Sequence, residues 1–329
     1  PNDQFVFWTH PLAARPISQA PNARELLVRP GPNSPLTVWW PEHFANLDGV
    51  DVFHGPHNLL PRRLPCASVV TIHDLMALEE PALHLQGMER LIKRAYYPQA
   101  IRRALREATR LIAPSRATAD RIAALHPPAA RRTHVIWEAV EPIFRPSDNR
   151  DAARKLLGAD WPYLLVVGAN VPSKQHALAV AAFSAAVPAP WRLVLLQRRR
   201  KSHFDASERI IFLDAVKRED VIALLQGAGA LLQPSLYEGF GLPVLEAMAC
   251  GCPVVASDIA PFREITEGAA ILTPPGDVAK FAAALREVIG SGELRASLRV
   301  RGLAQAQKFS WDRCARETLE VYREGAIAR

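Results

Sequence analysis

The stretch Pro234-Ser-Leu-Tyr-Glu238-Gly-Phe-Gly241-Leu-Pro243-Val-Leu-Glu246 decides the fold, because it reads as a strand end, a glycine loop and a helix start. Proline suits the first turn of a helix, where its missing N–H would have no partner anyway. Gly251 and Pro253 end this helix, and the apolar run Val254-Val-Ala256 then begins another strand. The stretch therefore predicts a strand–loop–helix–strand unit.

The start of a helix behind a glycine loop is a predicted anion site, since unpaired N–H groups and the positive dipole end point to one place. Phosphate is the expected occupant. Glu238 and Glu246 would repel a phosphate, so they are predicted to accept hydrogen bonds from neutral sugar hydroxyls. The alternative is that both glutamates are solvated acids that favour the helix dipole. It leaves the two glycines that flank Phe240 unexplained.

This spacing resembles the signature of the retaining glycosyltransferases of family 4, in which two glutamates separated by seven residues frame a Gly-Phe-Gly loop. The match is residue for residue from Pro234 to Pro253, and a looser similarity extends from about Asp51 to Tyr322. The resemblance implies an α/β GT-B architecture, with two Rossmann-like doubly wound domains that face each other across a cleft. It also implies that the second domain holds most of a nucleotide sugar.

The resemblance implies a role for each matching position. Glu246 is expected to bind the ribose hydroxyls, and Glu238 a hydroxyl of the donor sugar. The sugar and diphosphate are expected to meet the backbone of Gly239, Phe240, Gly241 and Leu242.

A second part of the site is predicted in the first half of the chain, where the apolar run from Val69 ends at His73 and Asp74. Ligands of doubly wound sheets bind just beyond the carboxyl ends of strands. The run resembles the strand-end histidine motif of the same family, in which the histidine approaches the donor sugar and phosphate. A histidine that only caps local backbone is the alternative. His54 and His57 either line the acceptor side or belong to a polar loop.

A third part follows another predicted strand, at Gly168-Ala-Asn-Val-Pro-Ser173-Lys174. Related enzymes place an arginine and a lysine here to hold the diphosphate. Lys174 is in register, whereas Ala169 or Ser173 stands in place of the arginine. The run from Arg198 to Lys201 either supplies the missing cation or is a solvated loop.

Composition indicates a globular protein of two ordinary domains, with 329 residues of which 49% are hydrophobic and 22% charged. No apolar run reaches the ~18 residues of a membrane span. The four cysteines are scattered, which favours reduced thiols in a cytoplasmic protein over a disulfide or a zinc site.

The net charge of +7 is concentrated between residues 85 and 135, where eleven Lys and Arg face three acids. Leu91, Ile92, Tyr96 and Tyr97 interleave with these cations on a predicted helix. The pattern is typical of a surface that lies on anionic lipid, or of a solvated arginine-rich face. No nucleic-acid module accompanies the charge, so a nucleic-acid partner is not predicted.

Short apolar runs alternate with helical stretches in both halves, which predicts two parallel sheets. The predicted domains are residues 1–145 on the acceptor side, residues 150–308 for the nucleotide sugar, and a helix at 309–329 that crosses back to the first domain. The predicted strands are 4–8, 51–54, 68–72, 110–113, 134–137, 163–167, 192–196, 210–213, 230–232, 254–256 and 270–272.

The chain departs from the pattern of this family at two further places. Related enzymes open with a strand, a glycine loop and a helix that precede a strand like Phe5–Trp8, and we expect that such an upstream unit is missing from the sequence. Relatives also tend to carry Asn-Gly at the domain hinge, where this chain has Glu138-Ala139.

Together these features predict a retaining, metal-independent hexosyltransferase with no cofactor, whose co-substrate is a nucleotide diphosphate sugar. The chain contains no Asp-x-Asp metal motif. The catalytic set is predicted as Glu238, His73 and Lys174, with Gly168, Asp74 and the 239–242 loop in the donor site. The form Thr71-Ile-His-Asp-Leu75 resembles bacterial mannosyltransferases of cell-surface polysaccharide biosynthesis. GDP-mannose is therefore the first donor that we predict. The predicted acceptor is a glycan or glycolipid at the inner face of the cytoplasmic membrane. A sugar-nucleotide epimerase and a catalytically silent binding subunit are the alternatives.

Overall fold

The computed structural model describes residues 3–12, 16–29, 34–40, 43–44, 46–84, 90–197, 208–214 and 216–328. Its strands form two parallel α/β sheets and one small two-stranded sheet, as the sequence predicts for a doubly wound chain.

The first sheet is parallel and has the strand order β3-β4-β5-β6. Its strands are β3 (Val52–Gly55), β4 (Ala67–Thr71), β5 (Arg110–Ala113) and β6 (Thr133–Val135). Each lies within two residues of its predicted position. The core on one face is formed by β4, β5 and the helices that cover them, with Val70, Ile101 and Leu111 fully buried.

The strand predicted at residues 4–8 exists but does not join the first sheet. β1 (Phe5–Thr9) pairs in parallel with β2 (Ala23–Leu27) in a separate two-stranded sheet. It meets the first sheet through its side chains, because the Trp8 ring lies edge-on to Phe53 at 5.2 Å between centroids. The sequence analysis missed β2, in which Arg24 and Glu25 interrupt the apolar residues and no side chain is fully buried.

The second sheet has six parallel strands in the order β12-β11-β10-β7-β8-β9. Apolar residues dominate these strands because helices cover both faces of the sheet. The chain starts at β7 in the middle, runs outward to β9, and returns to β10 on the other side. The carboxyl ends of β7 and β10 therefore border the topological switch point, where doubly wound sheets bind ligands. The strands are β7 (Tyr163–Val167), β8 (Arg192–Leu196), β9 (Ile210–Leu213), β10 (Ala230–Gln233), β11 (Val254–Ser257) and β12 (Ile271–Thr273).

The described helices carry apolar residues on the sides that face these sheets. They are α1 (Pro35–Trp39), α2 (Met76–Glu79), α3 (Pro81–His84), α4 (Arg90–Glu107), α5 (Arg116–Leu125), α6 (Pro127–Ala130), α7 (Asp151–Leu157), α8 (His176–Ala186), α9 (Arg218–Gly227), α10 (Leu242–Ala249), α11 (Ala260–Thr266), α12 (Val278–Gly290), α13 (Gly292–Ala306) and α14 (Trp311–Ile327). Among these helices, none has both the length and the hydropathy that a transmembrane span requires.

The last helix lies on the first sheet. Ser310 caps the start of α14 by accepting a hydrogen bond from the Arg313 N–H. Val321 of α14 is buried with Val69 and Ile112 of the first sheet. The Tyr322 hydroxyl lies 2.6 Å from His54 Nδ1. His54, for which an acceptor-side role was one reading, is thus occupied by the C-terminal helix and by Thr71, 2.8 Å from its Nε2.

Candidate functional site

The glycine loop lies directly beyond β10 and leads into α10, the arrangement that the sequence predicts. Gly241 has a φ of +122°, which side-chain-bearing residues rarely adopt. A Cβ there would lie 2.7 Å from the Phe262 ring. Pro243 stands in the first turn of α10. The helix can therefore begin close against the core, with its first N–H groups at the end of β10.

Three side chains donate hydrogen bonds to a single oxygen of Glu238. Lys174 Nζ lies 2.5 Å from Glu238 Oε1, Ser235 Oγ lies 2.7 Å from it, and Gln233 Nε2 lies 3.3 Å from it. The Glu238 side chain is only 11% exposed. These bonds fix the carboxylate, while no described residue hydrogen-bonds to Oε2. This oxygen is therefore available as an acceptor.

Lys174 reaches Glu238 because the loop after β7 packs on the loop after β10. Gly168 follows β7 with a φ of +128°, and a short 3-10 turn spans Pro172–Lys174. The Ser173 carbonyl accepts a hydrogen bond of 2.8 Å from the Leu236 N–H. The structure thus brings together Lys174 and Glu238, which are 64 residues apart in the chain.

His73 approaches the same loop from the first sheet. Its backbone is fixed by a hydrogen bond of 2.7 Å from the His73 N–H to Asn58 Oδ1. The His73 carbonyl contacts Gly239 so closely that a Cβ on this glycine would overlap the carbonyl oxygen. The predicted residues His73 and Gly239 therefore meet where the two halves of the chain face each other.

Both ring nitrogens of His73 have acceptors. Nδ1 lies 2.9 Å from Glu138 Oε1, and Nε2 lies 2.8 Å from the Pro56 carbonyl oxygen. Burial opposes the charged form, but the hydrogen bond and charge of Glu138, the Pro56 carbonyl and the Asp74 charge outweigh it and raise the His73 pKa. Because two acceptors require two N–H groups, this geometry suits an imidazolium. Glu138, a departure from the family pattern, is the main partner of this histidine.

The remaining predicted residues are placed individually. Asp74 Oδ1 accepts a hydrogen bond of 3.0 Å from the Met76 N–H, so this side chain stabilises the start of α2. The Phe240 ring is buried and lies 5.9 Å from Phe309, which leaves only its backbone for a ligand. Leu242 is the first residue of α10 and is half-buried.

Glu246 lies in the second turn of α10 and no described residue hydrogen-bonds to its carboxylate. Burial raises its pKa to about 7; the charge of Arg218 acts against this shift and that of Glu141 adds to it. Arg218 is itself paired with Glu141, at 2.9 Å. A half-buried carboxylate without a donor is poorly solvated, and it gains most from a ligand that brings hydroxyl donors.

The start of α5 holds the glycine loop from the opposite side, and the sequence analysis missed these contacts. Ser115 Oγ and Thr118 Oγ1 donate to the Gly239 carbonyl at 2.6 and 3.0 Å. Arg121 donates to the Glu238 carbonyl at 3.1 Å. One signal was present, because Ser115 is a helix-capping residue placed just beyond a strand that neighbours the one ending at His73.

Tyr237 joins Arg121 to a second contact between the halves of the chain. Its hydroxyl donates to Glu79 at 2.5 Å and accepts from the Leu75 N–H at 3.2 Å. The Arg121 guanidinium lies 4.2 Å above its ring. Burial and the bond to Glu79 raise the pKa of Tyr237. The hydroxyl therefore acts as a neutral structural donor.

Several cations of the 85–135 segment are structural. Arg103 is only 8% exposed. Arg110 pairs with Glu324 at 3.5 Å, and Arg132 donates to the Leu105 carbonyl at 2.7 Å. Glu89, the side chains of Arg90, Leu91, Ile92, Lys93 and Arg94, and the run Arg198–Lys201 lie outside the described residues. The described cations that remain exposed are Arg102, Arg106, Arg116 and Arg131.

Within the described part of the chain, no three His, Cys, Asp or Glu side chains are grouped so that they could hold a metal ion. Lys174 and the positive end of the α10 dipole lie on the second-sheet side of the site. The arrangement can bind an anionic group beside hydroxyl-bearing rings, with acceptors at Glu238 and Glu246.

Comparison with known proteins identifies similar families and relatives. A family model described as glycosyl transferases group 1 matches residues 148–304, and one described as Glycosyltransferase Family 4 matches residues 5–143. An O-antigen chain mannosyltransferase B of Escherichia coli is 28% identical over 288 residues, which are 83% of this chain and 74% of that protein. A D-inositol 3-phosphate glycosyltransferase of Saccharomonospora viridis is 31% identical over 246 residues, 68% of this chain and 57% of that protein. The chain thus spans about three quarters of one relative and little more than half of the other.

Among solved structures, the sucrose-phosphate synthase of Thermosynechococcus elongatus superimposes with a TM-score of 0.73 and 23% identity. The superposition covers 99% of this chain and 89% of that one. It shows a shared fold.

Proposed function

The chain belongs to the family 4 glycosyltransferases with the GT-B fold, and from this premise we propose that it transfers a hexose from a nucleotide diphosphate sugar with retention of configuration. The observation that carries the proposal is the contact between Lys174 and Glu238 at the switch point of the second sheet. It puts a cation and a hydroxyl acceptor beside the start of α10.

In this proposal the donor lies along the carboxyl ends of β7 and β10. Glu246 accepts hydrogen bonds from the ribose hydroxyls, and Glu238 Oε2 accepts one from the sugar. The diphosphate lies between Gly168, Lys174 and the start of α10, where the charge of Lys174 and the positive end of the helix dipole coincide. The close contact between His73 and Gly239 closes the sugar end of the site.

The proposed reaction takes place on one face of the sugar. The acceptor oxygen forms a bond to the anomeric carbon while the bond from that carbon to the phosphate oxygen breaks. The nucleoside diphosphate leaves with the electron pair, and its phosphate oxygen takes the acceptor's proton. Lys174 and the α10 N–H groups stabilise the charge that grows on the diphosphate, so the proposed transfer requires no divalent cation. Orientation of the two substrates supplies much of the remaining acceleration.

Mannose is the first proposed sugar, carried as GDP-mannose, and a glycan or lipid-linked glycan is the acceptor. The mannosyltransferase relative supports the sugar. The name of the D-inositol 3-phosphate glycosyltransferase relative indicates an acceptor of a different class. The proposal therefore names a class of acceptor and not one acceptor. We place the reaction at the cytoplasmic membrane face, on the strength of the exposed arginines between residues 85 and 135.

A catalytically silent subunit that binds nucleotide or glycan is the second candidate. It is favoured by His73, whose ring nitrogens are both engaged by protein acceptors. It is also favoured by the missing arginine, since Ala169 and the buried Ser173 stand where relatives carry it.

Donor hydrolysis in the absence of acceptor distinguishes the candidates. The purified protein is incubated with GDP-mannose, and separately with UDP-glucose, in saturating EDTA, with the Glu238→Gln variant as control. A transferase releases free sugar and nucleoside diphosphate slowly, and the variant does so at least tenfold more slowly. A silent subunit releases neither, and an epimerase forms a new sugar nucleotide. Turnover that is lost in EDTA and restored by magnesium or manganese would contradict the metal-free mechanism.

A further inference from the structure

A cavity lies in the first half of the chain, between α1 and α4. Its volume is about 160 Å³, well above the ~10–15 Å³ that one water molecule requires. It shares no lining residue with the Glu238 and Glu246 site. Its aromatic and charged lining comes from Trp39, Arg62, Tyr96, Arg103, Arg106 and Glu107.

Arg103 is the unusual member of this lining. Its side chain is 9% exposed, and its Nε and one terminal nitrogen are buried without a hydrogen-bond partner among the described residues. Glu107 is the nearest acid, but its carboxylate lies 3.7 Å from Nε, beyond hydrogen-bond distance, and is 53% exposed. A buried guanidinium with unpaired donors is costly unless an anion or another acceptor meets it.

Tyr96 adds a third unpaired donor atom to the lining of the same cavity. Its hydroxyl is buried and has no hydrogen-bond partner among the described residues. Burial raises its pKa, so the hydroxyl keeps its proton and is available to donate. Two buried side chains with three unpaired donor atoms line one cavity, which indicates an occupant rich in acceptors.

The charge and shape of the cavity specify the occupant further. Three arginines face one glutamate, and the Arg62 guanidinium is held 4.2 Å above the Trp39 ring at the cavity wall. Burial lowers the Arg103 pKa, and the charges of Arg62 and Arg106 add to this effect although Glu107 opposes it. An anion bound between these arginines would attract each of them and so offset their mutual repulsion. Guanidinium groups bind tetrahedral oxyanions through paired N–H donors, and Trp39 supplies an apolar wall for the group that carries the anion.

We propose that this cavity binds a phosphate group carried by an organic ligand, through Arg103, Tyr96, Arg62 and Arg106. The phosphate accepts hydrogen bonds from the two buried side chains and neutralises the arginine cluster. The site is separate from the nucleotide-sugar site, so the inference does not depend on the proposed transferase activity.

Inorganic phosphate is the first probe, added to the whole chain at constant ionic strength against chloride, with binding measured by calorimetry. Arg103→Met and Tyr96→Phe are each expected to weaken phosphate binding about tenfold or more, because each removes a buried donor. Arg131→Gln, an exposed arginine outside the lining, is the matched control and is expected to change nothing. Unfolding of each variant by circular dichroism shows that it is folded.

If Arg103→Met does not fold, Tyr96→Phe and the exposed pair Arg62→Gln with Arg106→Gln decide the question. Absence of phosphate binding, or equal phosphate binding by the unmodified protein and by all folded lining variants, would overturn the proposal. Glycerol 3-phosphate and vesicles of phosphatidic acid in phosphatidylcholine then distinguish the source. Binding of glycerol 3-phosphate that requires Arg103 identifies a soluble phosphate ester. Vesicle binding that is lost in Arg103→Met or Tyr96→Phe and kept in Arg131→Gln, without binding of glycerol 3-phosphate, identifies a lipid headgroup in this cavity.

Discussion

Lys174 and Glu238 form an ion pair of 2.5 Å between the loops that follow β7 and β10. The two loops follow neighbouring strands of the second sheet, and the contact spans its switch point. In the free protein the cation proposed for the diphosphate is therefore paired with the carboxylate proposed for the sugar. A bound donor would share this pair, because Lys174 has further N–H donors and Glu238 has a second oxygen.

We predict that Lys174→Met and Glu238→Gln have different effects. Lys174→Met leaves Glu238 with fewer donors, so it should lower the free energy of unfolding by roughly 1–3 kcal/mol and weaken nucleotide binding. Glu238→Gln keeps an oxygen that can accept from Ser235, so nucleotide affinity should change little while transfer slows about ten- to hundredfold. Calorimetry with GDP and UDP and initial rates measure these effects. Equal losses of nucleotide affinity in both variants would contradict the assignment.

The second prediction concerns Glu246, whose pKa is raised to about 7 in the free protein. The ionised form accepts ribose hydroxyl bonds better, so nucleotide affinity should rise with pH through about 7. Glu246→Gln should weaken nucleotide binding about ten- to hundredfold and remove this pH dependence. Affinities measured from pH 5.5 to 8.5 test it, and an unchanged pH profile in the variant would refute it.

A stability measurement provides the control for Glu246. A carboxyl whose pKa is raised on folding binds more protons in the folded state, so its ionisation destabilises the fold as pH rises from about 4.5 to 7. Without ligand, the Glu246→Gln variant should therefore unfold at a temperature ~2 °C higher than the unmodified protein at pH 8. Near pH 4.5 the two proteins should unfold at similar temperatures. A variant that is merely misfolded would be less stable at both pH values.

The sequence predicted the strands better than the contacts between them. Buried parallel strands are continuous apolar runs, so each strand of the two larger sheets was found within two residues of its prediction. β2 was missed, because Arg24 and Glu25 interrupt its apolar residues. The glycine loop and Lys174 could be located because both follow such runs. The contacts of Ser115 and Arg121 with this loop join segments more than a hundred residues apart. The local sequence marks Ser115 as a helix cap but does not show which segment it meets. For the same reason the sequence did not show that Arg103 is buried while Arg102 and Arg106 are exposed.

The third prediction is that Glu138 sets the charge of His73. Glu138→Gln keeps a hydrogen-bond acceptor but removes the negative charge, so the His73 pKa should fall. A histidine whose pKa is raised on folding stabilises the fold below its unfolded pKa of ~6.5, and this stabilisation is lost as pH rises through the folded pKa. The variant should thus be less stable than the unmodified protein at pH 6 and equally stable at high pH. Because His73 is 39% exposed, solvent screening keeps the difference small, below ~1 kcal/mol.

An NMR titration that follows the ring-proton resonances of His73 with pH measures this pKa directly. Asp74→Asn is the matched control, because Asp74 contributes the smallest of the effects that raise the His73 pKa. It should therefore shift the His73 pKa less than Glu138→Gln does. If Asp74→Asn shifted the His73 pKa more than Glu138→Gln did, Asp74 and not Glu138 would be the residue that sets the charge of His73.

The fourth prediction is that the exposed arginines of the 85–135 segment bind anionic membranes. Arg102, Arg116 and Arg131 changed together to Glu should abolish binding to vesicles that contain phosphatidylglycerol, since each cation near such a surface contributes about 1 kcal/mol. Lys280, Arg286 and Arg316, exposed cations outside this segment, changed to Glu give the same change in net charge. Flotation at low and high salt measures binding, which should weaken with salt. Equal binding by both triple variants would exclude this segment as the contact.

The last prediction uses the contact between His73 and Gly239, where the two halves of the chain meet. A Cβ on Gly239 would overlap the His73 carbonyl oxygen, and this backbone group cannot rotate away as a side chain could. Gly239→Ala should therefore separate the loop from the first sheet and weaken the Ser115 bond to the Gly239 carbonyl, at a cost of about 1–3 kcal/mol. Gly290→Ala is the matched control, because a Cβ at this last residue of α12 meets nothing within 4 Å. Gly239→Ala should lower both the unfolding temperature and the rate of donor hydrolysis, whereas Gly290→Ala should change neither. If Gly239→Ala unfolds and turns over like Gly290→Ala, the two halves do not depend on this contact.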